Sequence, residues 1–466
     1  MTGVGHVTRF TASASGRGPA LGTLDQFWGW WSGLPREEVF DVTPIPFGEM
    51  RNWGFDPRGN LVHDSGRFFS VEGLKITTDE GVSHTQPIIH QPEVGILGIL
   101  VKEFDGVLHC LMQAKFEPGN VNVRQLSPTV QATRSNYVRV HNGRATPYVE
   151  YFRSAPRGRV LVDVLQSEQG AWFWRKRNRN MVVEVEGDVP EREGFRWLTM
   201  EQVNRLLSSD NVVNMDARTV LACMPLLPDP EPAHGEPDDA FVRALRRSYH
   251  VAGDDAAAVN TLGQIISWFT DAKLRCDWKR SLIPLDEVEG WSRDEEEIVD
   301  DARQVFRVMA VRVRAEGREV GQWTQPLLAP QGRQTATFLT QEIGGVLHVL
   351  VAARPEPGLM DILEIAPTVH LRSPRQAPEL PEPFAEAVMS EDPDQVGHDV
   401  VLSEEGGRSR DAQPRYRVID GGGRLPVEAP DGYCWVTVGQ LTELVRHCGY
   451  LNIEARTLLA CLHGLW

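Results

Sequence analysis

The apolar positions along this chain fall into two kinds of run, and the same runs return in the same order halfway along. Leu24 to Leu34 (LDQFWGWWSGL) places its apolar residues at helical spacing and is rich in tryptophan. FSVEGLKI from Phe69 reads as a strand. GILGILVKEFDGVLHCLMQAKF from Gly95 is two apolar runs hinged on Asp105-Gly106, a strong hairpin signal. A further strand, RNMVVEVEG from Arg179, leads to WLTMEQVNRL from Trp197, where Thr199 is placed to cap a helix. A last helix begins at NMDAR from Asn214. The second series runs TLGQIISWF from Thr261, FRVMAVRV from Phe306, and TATFLTQEIGGVLHVLVAAR from Thr335, hinged on Gly344-Gly345. RYRVIDGGG from Arg415, WVTVGQLTEL from Trp435 with Thr437 as its cap, and NIEAR from Asn452 complete it.

The repetition extends to the residues themselves. Gln86 to Val130 lies over Gln325 to Val369 without a gap, and NMDARTVLACM lies over NIEARTLLACL. SEQG from Ser167 matches SEEG from Ser403, and Arg179 matches Arg415. Two repeats this long are not the short units of a solenoid; each can own a core. The expected fold is α+β, a tandem duplication of two modules related by a pseudo-twofold axis. The expected domains are residues 23–226 and 241–466, joined by a Pro- and acid-rich linker over 227–240. A second Pro- and acid-rich stretch, Ser373 to Asp399, interrupts the second copy, and the residues up to Gly22 read as loose.

Composition narrows the function classes. A net charge of −16 over 466 residues argues against nucleic acid or an anionic membrane as partner. The six cysteines show no CxxC or Cys/His ligand spacing, which points to a reducing cytoplasm, no disulfides and no structural zinc. The N-terminus lacks the apolar core of a secretory signal, and the longest apolar run, Val94 to Val101, is too short to span a bilayer. GxGxxG, GxxxxGK[ST], HExxH and GxSxG motifs are absent.

The polar runs with chemical promise lie in the first copy. Thr133, Arg134, Ser135, Asn136 and Tyr137 set a cation, hydroxyls, an amide and a phenol side by side. That set suits an anionic, hydroxyl-rich ligand; the plainer reading is a surface loop. Glu168 is matched by Glu404, so a structural hydrogen bond explains it as well as catalysis does. Trp53 and Trp291 occupy matched places and could stack on a base or sugar ring, or pack in the core. His109 and His348 match within the hairpins and read as satisfied sheet histidines, whereas His84 and His90 have no counterpart.

Several of these segments together resemble one family. HDSGRFFSVEGLKI from His63, QPIIHQPEVGILG from Gln86, QAKFEPGNVNVRQLSPTVQATRSNY from Gln113, QSEQG and RNRNMVVEV are similar to the NDP-hexose 2,3-dehydratases of deoxysugar biosynthesis. Weaker echoes in the second copy, ARPEPGLMDILEIAPTV and SEEGGR, extend the likeness over nearly the whole chain. The resemblance implies Nudix-like modules, a homodimer, a dTDP-4-keto-6-deoxyhexose substrate and a place in antibiotic sugar biosynthesis. It implies no cofactor and no metal; the Nudix metal box is missing, Arg36-Glu37-Glu38-Val39 being only a fragment of it. The C4 ketone of such a sugar acidifies C3, so a base and an acid suffice to expel the C2 hydroxyl. The 3,4-diketo-2,6-dideoxy product would pass to a separate 3-ketoreductase.

Carried over by motif, Trp53, Gln131, Ala132, Thr133, Arg134, Ser135 and Ser167 line the first-copy pocket. Trp291, His370, Arg372 and Ser373 are the second-copy counterparts. The candidates for acid and base are Tyr137, Glu168 and His90. The second copy reads RSPRQ where the first has TRSNY, so the first is expected to be the more intact site. The alternatives are a catalytically inactive Nudix-like nucleotide-sugar binding protein and a diphosphatase with an unconventional metal site.

Overall fold

Local chemistry sets the elements. The computed structural model describes residues 4–34, 40–134, 146–153, 156–230, 239–315, 321–372, 384–389, 392 and 395–466. Both hairpins turn where expected: Asp105 and Gly106 take φ of 48° and 81°, and Gly344 and Gly345 take 63° and 82°. Positive φ at both central residues matches the right-handed twist of the flanking strands. Thr23, Thr199, Thr261 and Thr437 each cap a helix and accept from the backbone of a glutamine three residues on. Each of those glutamines returns its side chain to the cap, closing a capping box.

Each copy builds one large mixed sheet. In the first, the strand order is Arg159–Ser167, Arg177–Glu184, Gly95–Phe104, Val107–Phe116 and Phe195–Thr199. Only the pair Arg177–Glu184 and Gly95–Phe104 is parallel. The second copy repeats this with Val396–Val401, Arg415–Asp420, Thr335–Ile343, Val346–Pro355 and Tyr433–Thr437, and its parallel pair falls at the same place. The fold is therefore α+β with an internal duplication.

Two smaller sheets tie the copies together by exchanging strands. Phe40–Ile45 of the first copy pairs with Phe306–Ala315 of the second, while Lys279–Ile283 of the second pairs with Ser70–Thr77 of the first. An unpaired edge strand exposes a row of N–H and C=O groups. Here each copy supplies the strand that covers the other's edge. The main core also crosses between copies, uniting Val220 and Leu221 with Leu458 and Leu459.

The expectation of a loose N-terminus does not hold. Val4–Ala14 is a helix whose Phe10 is fully buried. Its Ser13 hydroxyl donates to the Leu108 carbonyl at 2.6 Å and accepts from the Met200 N–H at 2.9 Å. Helix Ala240–His250 does the same in the second copy, with Ser248 between Leu347 and Val438. Small residues made the segment look like a tail, but they are what lets the helix lie close on the sheet.

At the centre, two fully buried arginines cross in opposite directions. Arg218 donates to the carbonyl of Ser403 at 2.9 Å, and Arg456 donates to the carbonyl and, at 3.3 Å, the hydroxyl of Ser167. Arg218 also lies 3.8 Å from the buried Glu404 carboxylate. Breaking one partner of a buried pair strands the other. Arg218→Met is therefore expected to cost about 3–5 kcal/mol in chemical denaturation. Arg205→Ala, which removes a surface pair with Glu201, is expected to cost less than about 0.5 kcal/mol.

Candidate functional site

Two matched recesses form where the copies meet. Each is walled by a Glu-Pro-Gly loop of one copy and the Ser-Glu-Glu/Gln-Gly loop of the other. The Gly119 N–H donates to the Gly406 carbonyl at 2.7 Å, and the Gly358 N–H to the Gly170 carbonyl at 2.6 Å. A Cβ on Gly119 would sit 1.6 Å from the Ser409 carbonyl oxygen, and one on Gly358 would sit 1.9 Å from that of Phe173. Only glycine allows this approach. The closing helices then add Asn214 and Asp216 to one recess, and Asn452 and Glu454 to the other.

The first recess gathers acids. The Gln131 amide donates to Glu117 at 2.7 Å and its oxygen accepts from Asn214 at 3.0 Å. Lys115 stands 3.7 Å from Glu117. Glu168, 3 % exposed, takes one hydrogen bond from Asn178 on Oε1, while its Oε2 has no partner. Asp216 likewise keeps Oδ1 bare. Burial, reinforced by Glu405, pushes the Glu168 carboxyl up to about 8, against the pull of Lys176 and Arg456. Burial also raises Asp216 well above the carboxylate range, and Glu405, Glu168 and Glu117 add to it. Burial lowers the Lys176 ammonium, opposed by Glu168 and Glu405. Carboxyls that outnumber their cations in a dry space retain protons near neutral pH.

The second recess has the same frame with different occupants. Gln169 stands where the first has Glu405. Glu404 accepts from the Tyr416 hydroxyl at 2.6 Å on one oxygen and from the Gln169 amide on the other. Asn452 reaches Glu356 directly at 3.0 Å, because His370 replaces the bridging Gln131. Gln86, Trp172, Phe306, Gln334 and Arg372 help to close a cavity of about 20 Å³. A larger hollow of about 350 Å³ lies by Tyr151 and Glu184, but the Glu184 carboxylate is already held by Arg9 and Arg159.

The residues expected from sequence scatter across this picture. Gln131 belongs to the acid cluster, and Ala132 is buried behind it on the same strand. Thr133 and Arg134 continue outward, while Ser135, Tyr137 and Ser373 lie outside the described residues. Ser167 is interior and donates to Glu364 at 2.6 Å. Trp53 packs on Phe69 with centroids 4.9 Å apart, and Trp291 on Phe306 at 4.8 Å. His90 meets Glu72 at 2.9 Å on the Ser83–His90 strand. His370 and Arg372 face the second recess. His109 and His348 are satisfied in their sheets, each bonded to a carbonyl two residues back and to a loop N–H. Glu117, Asp216 and Glu405 were not singled out. The Glu-Pro-Gly motif common to both copies was the available signal for the first, and the Gln169/Glu405 difference for the last.

The comparisons with known proteins agree along the whole length. A family model described as NDP-hexose 2,3-dehydratase matches residues 24–224 and again 262–462. A dTDP-4-dehydro-6-deoxy-alpha-D-glucopyranose 2,3-dehydratase of Saccharopolyspora spinosa is 48% identical, covering 100% of this chain and 96% of its own. Enzymes of the same name from Streptomyces violaceoruber and Amycolatopsis orientalis are each 45% identical, covering 94% and 91% of this chain and 97% and 87% of theirs. Two matches of one family model on one chain account for the duplication, and the chain belongs to the NDP-hexose 2,3-dehydratase family.

Proposed function

We propose that this chain removes water across C2–C3 of dTDP-4-keto-6-deoxyglucose, and that the first recess carries the chemistry. The supporting observation is the contrast between two matched glutamates. Glu404 has both oxygens bonded, whereas Glu168 keeps a buried oxygen bare beside a second carboxyl, Glu405.

A base takes the C3 proton, made acidic by the C4 ketone, to give an enolate. The electron pair then moves to form the C2–C3 double bond as the C2 hydroxyl leaves, protonated, as water. The enol tautomerises to the 3,4-diketo-2,6-dideoxy sugar, and no oxidant or reductant is consumed. Glu168, held protonated by burial, supplies the proton to the leaving hydroxyl. Glu405 is the base: burial, joined by Glu117, raises it, and Arg408, Lys176 and Lys115 oppose that rise. Lys115 and Lys176 face the enolate charge. We assign the sugar nucleotide to the residues that the family motif carries over: Gln131, Ala132, Thr133, Arg134, Ser135, Trp53 and Ser167. Tyr137 and His90 remain second candidates for proton transfer. The Trp291, His370, Arg372 and Ser373 side does not turn over substrate. Each large sheet with its helices is Nudix-like, with domain limits at 23–226 and 241–466. The chain acts as a cytoplasmic homodimer in antibiotic sugar formation and passes its product to a separate 3-ketoreductase.

Anaerobic incubation with the keto sugar, read by mass spectrometry, is expected to give a product lighter by one water, or free dTDP with a sugar fragment. Unchanged substrate in the presence of demonstrated binding would refute turnover and favour a binding module. Glu405→Gln and Glu168→Gln are each expected to lower kcat by about 10²–10⁴.

Glu168 also predicts a pH dependence. Its folded value of about 8 lies above the ordinary 4.5, so the folded state binds more protons than the unfolded state in that window. The stabilisation is complete below about pH 4.5 and is lost as pH rises toward 8. Denaturation curves should therefore show wild type losing stability relative to Glu168→Gln across that range.

A further inference from the structure

The second recess is not an idle copy of the first, and its donor atoms suit a guest other than a sugar. Glu356, His370 and Glu454 each turn one ligand atom inward, and these atoms lie within 4.8 Å of one another. Glu454 is 5 % exposed and lines the cavity, yet its Oε2 has no hydrogen-bond partner. A buried carboxylate oxygen without a partner is costly, and a cation is one of the few guests that removes that cost. The 20 Å³ of free space admits an ion or a water.

We propose that the second copy binds a first-row divalent cation, of the Mn²⁺ or Zn²⁺ class, between Glu356, His370 and Glu454. One imidazole with two carboxylates suits these ions better than Mg²⁺ or Ca²⁺, which prefer all-oxygen shells. Metal–ligand bonds of about 2.1 Å need the donors roughly 3–3.5 Å apart, within reach of small side-chain rotations. Asn452 already donates to Glu356 Oε1 and orients that carboxylate. Arg354 donates to the His370 carbonyl from beside the site, and among the described residues no group hydrogen-bonds Glu454 Oε2.

The site is confined to one copy. In the first, Gln131 replaces His370, and its amide is committed to both Glu117 and Asn214. The bound ion would join three elements: the Glu-Pro-Gly loop, the Val369–Leu371 strand and the start of helix Ile453–Leu462. Because that loop docks on Gly170 of the first copy, the ion acts as a clamp on the junction. It takes no part in the elimination assigned to the first recess.

The test uses the full chain, stripped with chelator and free of nucleotide, since phosphates would themselves bind the probe. Mn²⁺ is titrated and followed by electron paramagnetic resonance and by thermal unfolding. Using Mn²⁺ also avoids a false signal from the exposed thiol of Cys448. One saturable site per chain is expected, with a rise in Tm on binding and displacement by Zn²⁺. His370→Gln, which installs the first copy's residue, and Glu454→Gln, which keeps the shape, are each expected to weaken binding roughly tenfold or more. Circular dichroism confirms that each variant is folded. Failure of wild type to bind Mn²⁺ or Zn²⁺ would overturn the proposal, as would equal affinity in a folded variant.

Discussion

The arrangement depends on two guanidinium groups that have no contact with solvent. Burying an arginine costs several kcal/mol unless its N–H groups are satisfied. Arg218 and Arg456 find much of that satisfaction on the opposite copy, at Ser403 and Ser167 respectively. Those serines precede Glu404 and Glu168 in sequence, so the contact that joins the copies also aims the glutamates. The hydrogen bonds from Gly119 to Gly406 and from Gly358 to Gly170 fix the same loops from their other ends. A recess therefore belongs to the junction, and neither copy could form one alone. The exchange of strands between the smaller sheets points the same way, because each copy leaves an edge that only the other covers.

On this symmetric frame a few exchanges separate the two recesses. Glu405 faces Glu168 where Gln169 faces Glu404, so at this position one recess sets two acids together and the other an acid already bonded to an amide. Tyr416 reaches into the second recess and donates to Glu404, while Asn180, its counterpart, makes no side-chain hydrogen bond. Gln131 links Glu117 to Asn214, while His370 cannot bridge in that way and leaves Asn452 to reach Glu356 directly. The first two exchanges leave Glu404 bonded on both oxygens and Glu168 on one; the third changes how each Glu-Pro-Gly glutamate is tied to its closing helix. The two recesses thus differ in side chains set on a matched strand order and matched loop hydrogen bonds.

Elements governed by neighbours in sequence were legible. Asp105-Gly106 and Gly344-Gly345 demand left-handed backbone, and Thr199 and Thr437 carry their own cap acceptors, so the turns and helix starts could be read directly. The exchange of Phe40–Ile45 and Lys279–Ile283 could not, because either strand pairs equally well with its own copy on local grounds. The N-terminal helix was hidden by composition: Phe10 is a single large anchor among small residues. Glu168 was visible as a shared residue, but its partner Glu405 lies in the other copy and reaches it only through the fold. The two tryptophans show the limit of pattern reading. Trp53 and Trp291 are matched, aromatic and well placed to stack, and each packs on a phenylalanine at the start of the long strand that follows, Phe69 just before Ser70–Thr77 and Phe306 opening Phe306–Ala315.

Duplication resolves a conflict that a single module would face. An acid kept protonated near neutral pH requires burial without full hydrogen bonding, and that lowers stability. Loops carrying such a group must still be held within a fraction of an ångström to be useful. Glu168 is one such unsatisfied group, and the loop that faces it is held by its twin. The second copy's loop, with Glu404 bonded on both oxygens, presents Glu405 and Gly406 to the first recess from a fixed position. The bare oxygen of Glu168 on one side is set against a Glu404 bonded on both oxygens on the other. This division needs two similar but unequal sites in one cooperative unit, which is what an internal repeat free to diverge provides.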